Sequence, residues 1–291
     1  MIALDTGRED PLPSIDLRAG PIEYLDSGGP GPTLVMTPGL LMDETLWEGV
    51  VDRLTPAHRC IVPVLPLGGH RRPMHPDADL SLHAQADLLA EFLDRLDLRG
   101  VILVAVDWGG PQLTAAQHPD RLAGLVLLPQ EAFDNIPPGL PGRFAGLAGR
   151  APGGLFMAAQ SLRFPLLARL PMTFGWMAKR PIPKSTLLHW TSGARTNRAV
   201  RRDLAKYVRT SDYDGLNEAA ELLADFDRPT LVLWAAEERV MPVDHGRRLA
   251  EIIPSARFEE MDDCYTLMPL DRPDAVADRL ARFASSLLDR T

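Results

Sequence analysis

Val101-Ile102-Leu103-Val104-Ala105-Val106-Asp107-Trp108-Gly109-Gly110 is an apolar, strand-like run that stops at an acid. Trp108 and two glycines follow, then a helix-like segment from Pro111 to His118. The order is strand, tight turn, helix. A side chain at the tip of such a turn is pushed out beyond the sheet edge on a strained backbone. Small residues must flank it, because the strand and helix backbones nearly touch there. Ala105 and Gly109 meet that demand. The blander reading makes Asp107 a helix N-cap, a role that does not need both small flanks.

Outward from this stretch, strands and amphipathic helices alternate. Ile15–Leu17 and Pro21–Asp26 read as two short strands around Ala19-Gly20, and Thr33–Met36 as a buried strand. Leu46, Trp47, Val50, Val51 and Leu54 recur at helical spacing. Cys60–Leu65 is a further strand, and Ser81 is placed to cap a helix with Leu82, Leu88, Leu89, Phe92, Leu93 and Leu96 on one face. Ala123–Leu128 reads as a strand ending at Gln130-Glu131. Strands return at Thr230–Trp234 and Arg257–Met261, before a last helix from Pro273 to about Leu288. This alternation predicts an α/β fold with a mainly parallel sheet covered on both faces. From about Phe133 to Leu223 no strand pattern is legible. The expected organisation is a core over 1–132, a helical cap over 133–225 and the rest of the core over 226–291.

The chain has 291 residues, 45% of them hydrophobic, enough to bury a sizeable core. A net charge of −8 argues against nucleic acid as a partner. Two cysteines, Cys60 and Cys264, imply no disulfide framework. The opening MIALDTGREDP lacks the basic and apolar regions of a signal peptide, and no apolar run is long enough to span a bilayer. The expectation is a cytoplasmic protein acting on a small molecule; nothing indicates its oligomeric state. No phosphate-cradling glycine loop or ligand-spaced Cys/His cluster is present, so no cofactor or metal is expected. Charge is unevenly spread. Residues 135–209 hold 13 Lys/Arg and one acid, Asp203, while the remainder holds 18 basic and 38 acidic residues. Cap–body attraction with a solvated face accounts for this; so would an anionic ligand or surface recruited by the insert.

Asp107-Trp108-Gly109-Gly110 resembles the nucleophile elbow of the α/β-hydrolase fold in its Asp form, as in haloalkane dehalogenases and epoxide hydrolases. The resemblance runs from about Ile22 to Phe283, with the cap matching only in position and composition. A carboxylate attacking an sp³ carbon gives an alkyl ester that water can cleave at the enzyme's own carboxyl carbon. An Asp elbow therefore suggests alkyl halides or epoxides over esters. Cleavage creates an oxyanion on Asp107, and the resemblance assigns its backbone donors to Trp108 and Leu40. It also implies that the Trp108 indole could face a leaving halide. Leu40 stands where one dehalogenase subgroup has a halide-binding Asn; another uses a cap Trp, for which Trp176 and Trp190 are available. Epoxide hydrolases use cap tyrosines to protonate the opening oxygen, and Tyr207 and Tyr213 are the candidates.

In Trp234-Ala235-Ala236-Glu237-Glu238 the resemblance puts Glu238 in the acid position, with Glu131 as alternative. The family's His sits before the last helix in a frame like Asp-x-x-His-x-x-x-x-(Asp/Glu)-x-Pro. Here the frame is kept, and Thr266 stands where His is expected. A threonine hydroxyl is no general base near neutral pH. Of the seven histidines, His70, in the loop of Pro66 to Leu80, is the best substitute. With His75, Asp77 and Asp79 it makes no tight metal-ligand set. Three readings stay open: a hydrolase working through Asp107, an enzyme using Asp107 for acid–base chemistry without an ester, and a non-catalytic binder of an apolar ligand.

Overall fold

Strands buried on both faces read as near-continuous apolar runs, and four strands of this chain do so. The computed structural model describes residues 11–210 and 214–288. Eight strands form one sheet: β1 (Ser14–Leu17), β2 (Gly20–Asp26), β3 (Thr33–Met36), β4 (Arg59–Pro63), β5 (Val101–Asp107), β6 (Leu122–Gln130), β7 (Thr230–Ala235) and β8 (Ala256–Met261). Their spatial order is β1-β2-β4-β3-β5-β6-β7-β8. β1, β2 and β4 pair antiparallel, and every pair from β4 onward is parallel. β3, β5, β6 and β7 form the central core, and every residue of β5 is buried. β8 closes one edge with charged side chains that discourage further pairing.

Thirteen α-helices are formed among the described residues. Before the insert come α1 (Glu48–Leu54), α2 (Leu82–Arg95) and α3 (Gly110–Gln117). Between β6 and β7 lie α4 (Gly139–Arg150), α5 (Gly154–Ser161), α6 (Pro165–Ala168), α7 (Lys184–Trp190), α8 (Ser192–Thr196), α9 (Arg198–Thr210) and α10 (Asp214–Leu223). The chain ends with α11 (Val243–Ile252), α12 (Met268–Asp271) and α13 (Pro273–Leu288). Helices α2, α3, α10 and α11 pack side by side as one layer, and α1, α12 and α13 as another. Helix α10 thus joins the layer over the sheet, while α4, α5, α8 and α9 pack on one another. Ser81 caps α2, its hydroxyl accepting from the Ala84 amide.

The chain order reverses between β3 and β5. From β3 it crosses to β4 on one side, then returns to β5 on the other. Parallel α/β sheets open a crevice at such a switch point, beyond the carboxyl ends of the strands. The loop after β3 carries Leu40, and β5 ends in Asp107. The pairing of Met36 with Val104 brings these two ends side by side.

Candidate active site

Asp107 has a φ of +66°. That left-handed conformation is disfavoured for a side chain with a Cβ. It is held by a tight turn in which the Trp108 amide donates to the Val106 carbonyl at 2.7 Å. The turn lifts the Asp107 carboxyl off the sheet, and Oδ2 accepts from the Leu40 amide at 2.9 Å. Room for this comes from glycines. A methyl at Gly39 would overlap Asp107 Oδ2, and one at Gly109 would stand 2.5 Å from the Leu216 side chain and 2.9 Å from the Glu131 carbonyl. Of the two oxyanion donors expected from sequence, the Leu40 amide faces the carboxylate. The Trp108 amide is spent on closing the turn.

Two more buried carboxyls flank Asp107. Glu131 follows β6, and its amide donates to the Asp107 carbonyl at 3.1 Å. Its Oε2 accepts from the Gly109 amide at 3.4 Å and the Tyr207 hydroxyl at 3.1 Å. Burial, and then the Asp107 charge, push the Glu131 carboxyl up to about 8. Burial lifts Asp107 to about 6, offset by the Leu40 hydrogen bond and assisted by repulsion from Glu238.

Glu238 follows β7. Its Oε1 accepts from the Arg239, Val240 and Met241 amides and, at 2.7 Å, from the Thr266 hydroxyl. Burial raises this carboxyl above its ordinary value despite those donors. Oε2 is buried without a hydrogen-bond partner. Glu238 and Thr266 are thus hydrogen-bonded to each other. Thr266 is fully buried and its hydroxyl hydrogen points at Glu238, so it holds no proton-accepting role toward Asp107.

Above Asp107 lies a cavity of about 130 Å³. Helices α4, α5 and α9 supply half of its lining residues, and Leu155, Leu162, Phe174 and Met177 are among the apolar side chains. Asp107, Glu131 and Tyr207 line it together with Leu40, and Arg150 and Thr173 are further polar residues of its lining. The remaining expected residues are elsewhere. Trp108 is buried with its indole against Gly110 and its N–H unpartnered, and it does not line the cavity. Trp190 is buried and donates its indole N–H to Thr45 Oγ1 at 2.8 Å, and Trp176, between Phe174 and Met177 in the chain, is not part of the lining. His70 is buried away from the cavity. Its Nδ1 accepts from the Gly68 amide and its Nε2 faces Asp203 Oδ2 at 3.3 Å, so both ring nitrogens are occupied. A substitute-base role for His70 is at odds with this placement. Tyr213 lies outside the described residues.

A family model for the alpha/beta hydrolase fold matches residues 32–273. The chain belongs to the α/β-hydrolase fold family. Within it the chain is haloalkane dehalogenase-like. It is 24% identical to haloalkane dehalogenase 2 of Mycobacterium tuberculosis, over 90% of this chain and 91% of that one. It is 34% identical to a haloalkane dehalogenase of Mesorhizobium japonicum over 109 residues, 37% of this chain and 35% of the relative. The crystal structure of haloalkane dehalogenase DbeA from Bradyrhizobium elkani superposes with a TM-score of 0.78 at 18% identity, covering 96% of this chain and 99% of that one.

One feature of this α/β-hydrolase escaped the sequence. Asp43, Glu44 and His189 gather their ligand-type atoms within 4.8 Å of one another. Arg71 already supplies a cation there, 3.2 Å from Glu44 and 3.6 Å from Asp43, and His189 Nε2 lies 3.2 Å from Asp43. Arg71 also pairs with Glu23 at 3.2 Å, and the cluster ties α7 to the loops after β3 and β4. The acid pair after the oxyanion loop was its one sequence signal. No helix among the described residues is long and apolar enough to cross a membrane.

Proposed function

We propose that this α/β-hydrolase opens and hydrolyses small, largely apolar epoxides, with Asp107 as nucleophile and Glu131 as both acid and base. The observation that carries the reading is the pairing of Asp107 and Glu131 in one apolar cavity, with the first pushed to about 6 and the second to about 8. Near neutral pH one is ionised and the other holds its proton. Two carboxyls set apart by their surroundings divide the nucleophile and acid roles.

Asp107 Oδ1 attacks an epoxide carbon. The C–Oδ1 bond forms, the ring C–O bond breaks, and the ring oxygen takes the Glu131 proton. The products are a hydroxyalkyl ester on Asp107 and a Glu131 carboxylate. That carboxylate is now the base that Thr266 cannot be. It takes a proton from water attacking Asp107 Cγ, while the Leu40 amide holds the oxyanion on Oδ2. Collapse expels the diol through Oδ1, with one water proton on the diol and the other on Glu131. Asp107 is again a carboxylate and Glu131 again an acid, so the cycle closes without histidine. Tyr207 keeps Glu131 oriented throughout.

Alkyl halides are disfavoured as substrates. A leaving halide needs N–H donors in the cavity, and Trp108, Trp176 and Trp190 lie outside its lining. The test is turnover of styrene oxide in heavy-oxygen-labelled water, followed by peptide mass analysis. Label entering the Asp107 carboxyl supports the ester route. Diol formed without label in Asp107 would overturn it in favour of direct water attack. No diol with any of a panel of aryl and alkyl epoxides would overturn the assignment of substrate class.

A further inference from the structure

The insert presents an apolar, cationic face to solvent. Eleven large hydrophobic side chains are exposed among the described residues, and nine of them lie between Leu140 and Met172. Leu166 is 80% exposed, Leu147 67% and Met157 65%. Monomeric surfaces rarely concentrate apolar side chains in this way without a partner. The same stretch carries Arg143, Arg150, Arg163 and Arg169 and no acid. All four arginines are exposed, and none makes an ion pair among the described residues. Arg163 lies over the Phe164 ring at 4.8 Å, so a cation and an apolar knob sit side by side.

This face is continuous with the cavity. Arg150 and Met172 belong to both, and α5 lines the cavity with Leu155, Ala158 and Ala159 while exposing Phe156 and Met157. The patch therefore adjoins the cavity that holds Asp107.

We propose that the face formed by α4, α5 and α6 docks on an anionic lipid surface, from which apolar molecules enter the cavity. Apolar side chains beside unpaired arginines match a phospholipid interface, where the first enter the acyl boundary and the second meet phosphates. The rest of the molecule bears more than twice as many acidic as basic residues and is repelled by such a surface. The charge split thus orients the molecule with its insert toward the lipid. A second copy fits less well. Two-fold pairing would press the four unpaired arginines against the same four, with no acid to meet them.

The test is co-sedimentation of the full chain with phosphatidylcholine vesicles, with and without roughly one third phosphatidylglycerol. Binding should require the anionic lipid and weaken as NaCl rises from ~0.05 to ~0.5 M. The double variant Leu147→Asp/Leu166→Asp should bind about tenfold more weakly, as should Arg163→Glu/Arg169→Glu. None of these four side chains lines the cavity, so turnover of a water-soluble substrate should be unchanged. Equal binding to both vesicle types, no binding to either, or binding untouched by both variants would overturn the proposal. So would an oligomer in sedimentation velocity that the variants convert to monomer without any vesicle binding. The readout is lipid binding, and it succeeds or fails independently of the chemistry assigned to Asp107.

Discussion

Glu131 can serve as an acid only while its surroundings stay dry, and that dryness has two measurable consequences. The first is kinetic. Asp107 must be ionised and Glu131 protonated, so kcat/KM should rise as pH passes about 6 and fall as it passes about 8. A profile flat across that range would refute the pairing. Glu131→Gln removes both the proton source and the later base, and should cost about 10²–10⁴-fold in kcat. The second consequence concerns stability. Both carboxyls keep their protons in the folded protein at pH values where the unfolded chain has released them. Folding stability therefore falls as pH rises, from 3.8 to about 6 for Asp107 and from 4.5 to about 8 for Glu131. Glu131→Gln is free of the second loss and still offers its carbonyl to Tyr207 and Gly109. Its Tm should match wild type near pH ~4 and exceed it near pH ~9, by an amount corresponding to a few kcal/mol. A side chain that lowers stability but supports turnover is the expected trade at an active site.

At the scale of elements, the turn after β5 and the loop after β3 work as one unit, and glycine sets their separation. Gly39→Ala has no room beside Asp107 Oδ2 and must displace either the carboxylate or the Leu40 amide. Loss of one oxyanion donor costs about 10²–10³-fold in kcat. Steady-state kinetics should show that loss in kcat with little change in KM, since Gly39 is not part of the cavity wall. The elbow was legible because strand, acid and small flanks must coincide in sequence for the turn to form at all. The contact between Glu238 and Thr266 was legible for a similar reason: the frame of Asp263, Asp271 and Pro273 is kept in sequence, and the two side chains meet at 2.7 Å. The Trp108 amide was not legible. Whether it faces the carboxylate or closes the turn on Val106 depends on a few degrees of backbone rotation, which no residue type encodes. The tryptophans of the insert were misleading because an indole serves as packing or as donor with the same sequence signature, and Trp190 satisfies its N–H on Thr45.

For the whole molecule, the sheet order follows from buried, uninterrupted strands, but the seating of the insert does not. Absence of strand pattern marked residues 133–225 as one helical unit, yet α10 packs on α3 with the core layer. Helical periodicity reports that a face is apolar, not which neighbour covers it. What seats α9 is a buried polar tie. Asp203, fully buried, accepts from the Met74 amide at 2.8 Å and faces His70 Nε2, drawing the loop after β4 against the insert. Burial holds the His70 imidazole below its ordinary value, so the ring is a neutral donor here. Asp203→Ala leaves the Met74 N–H and His70 Nε2 without partners in a dry place, at a cost of roughly 1–3 kcal/mol. Asp203→Asn keeps one acceptor and should cost less. Hydrogen exchange separates the two ways such a loss can be distributed. Amides of α9 should exchange faster in Asp203→Ala while those of β5 keep their protection, since the tie acts on the insert and not on the sheet. Uniform acceleration in both would instead mean that insert and sheet unfold as one cooperative unit, with the cavity between them as its common core.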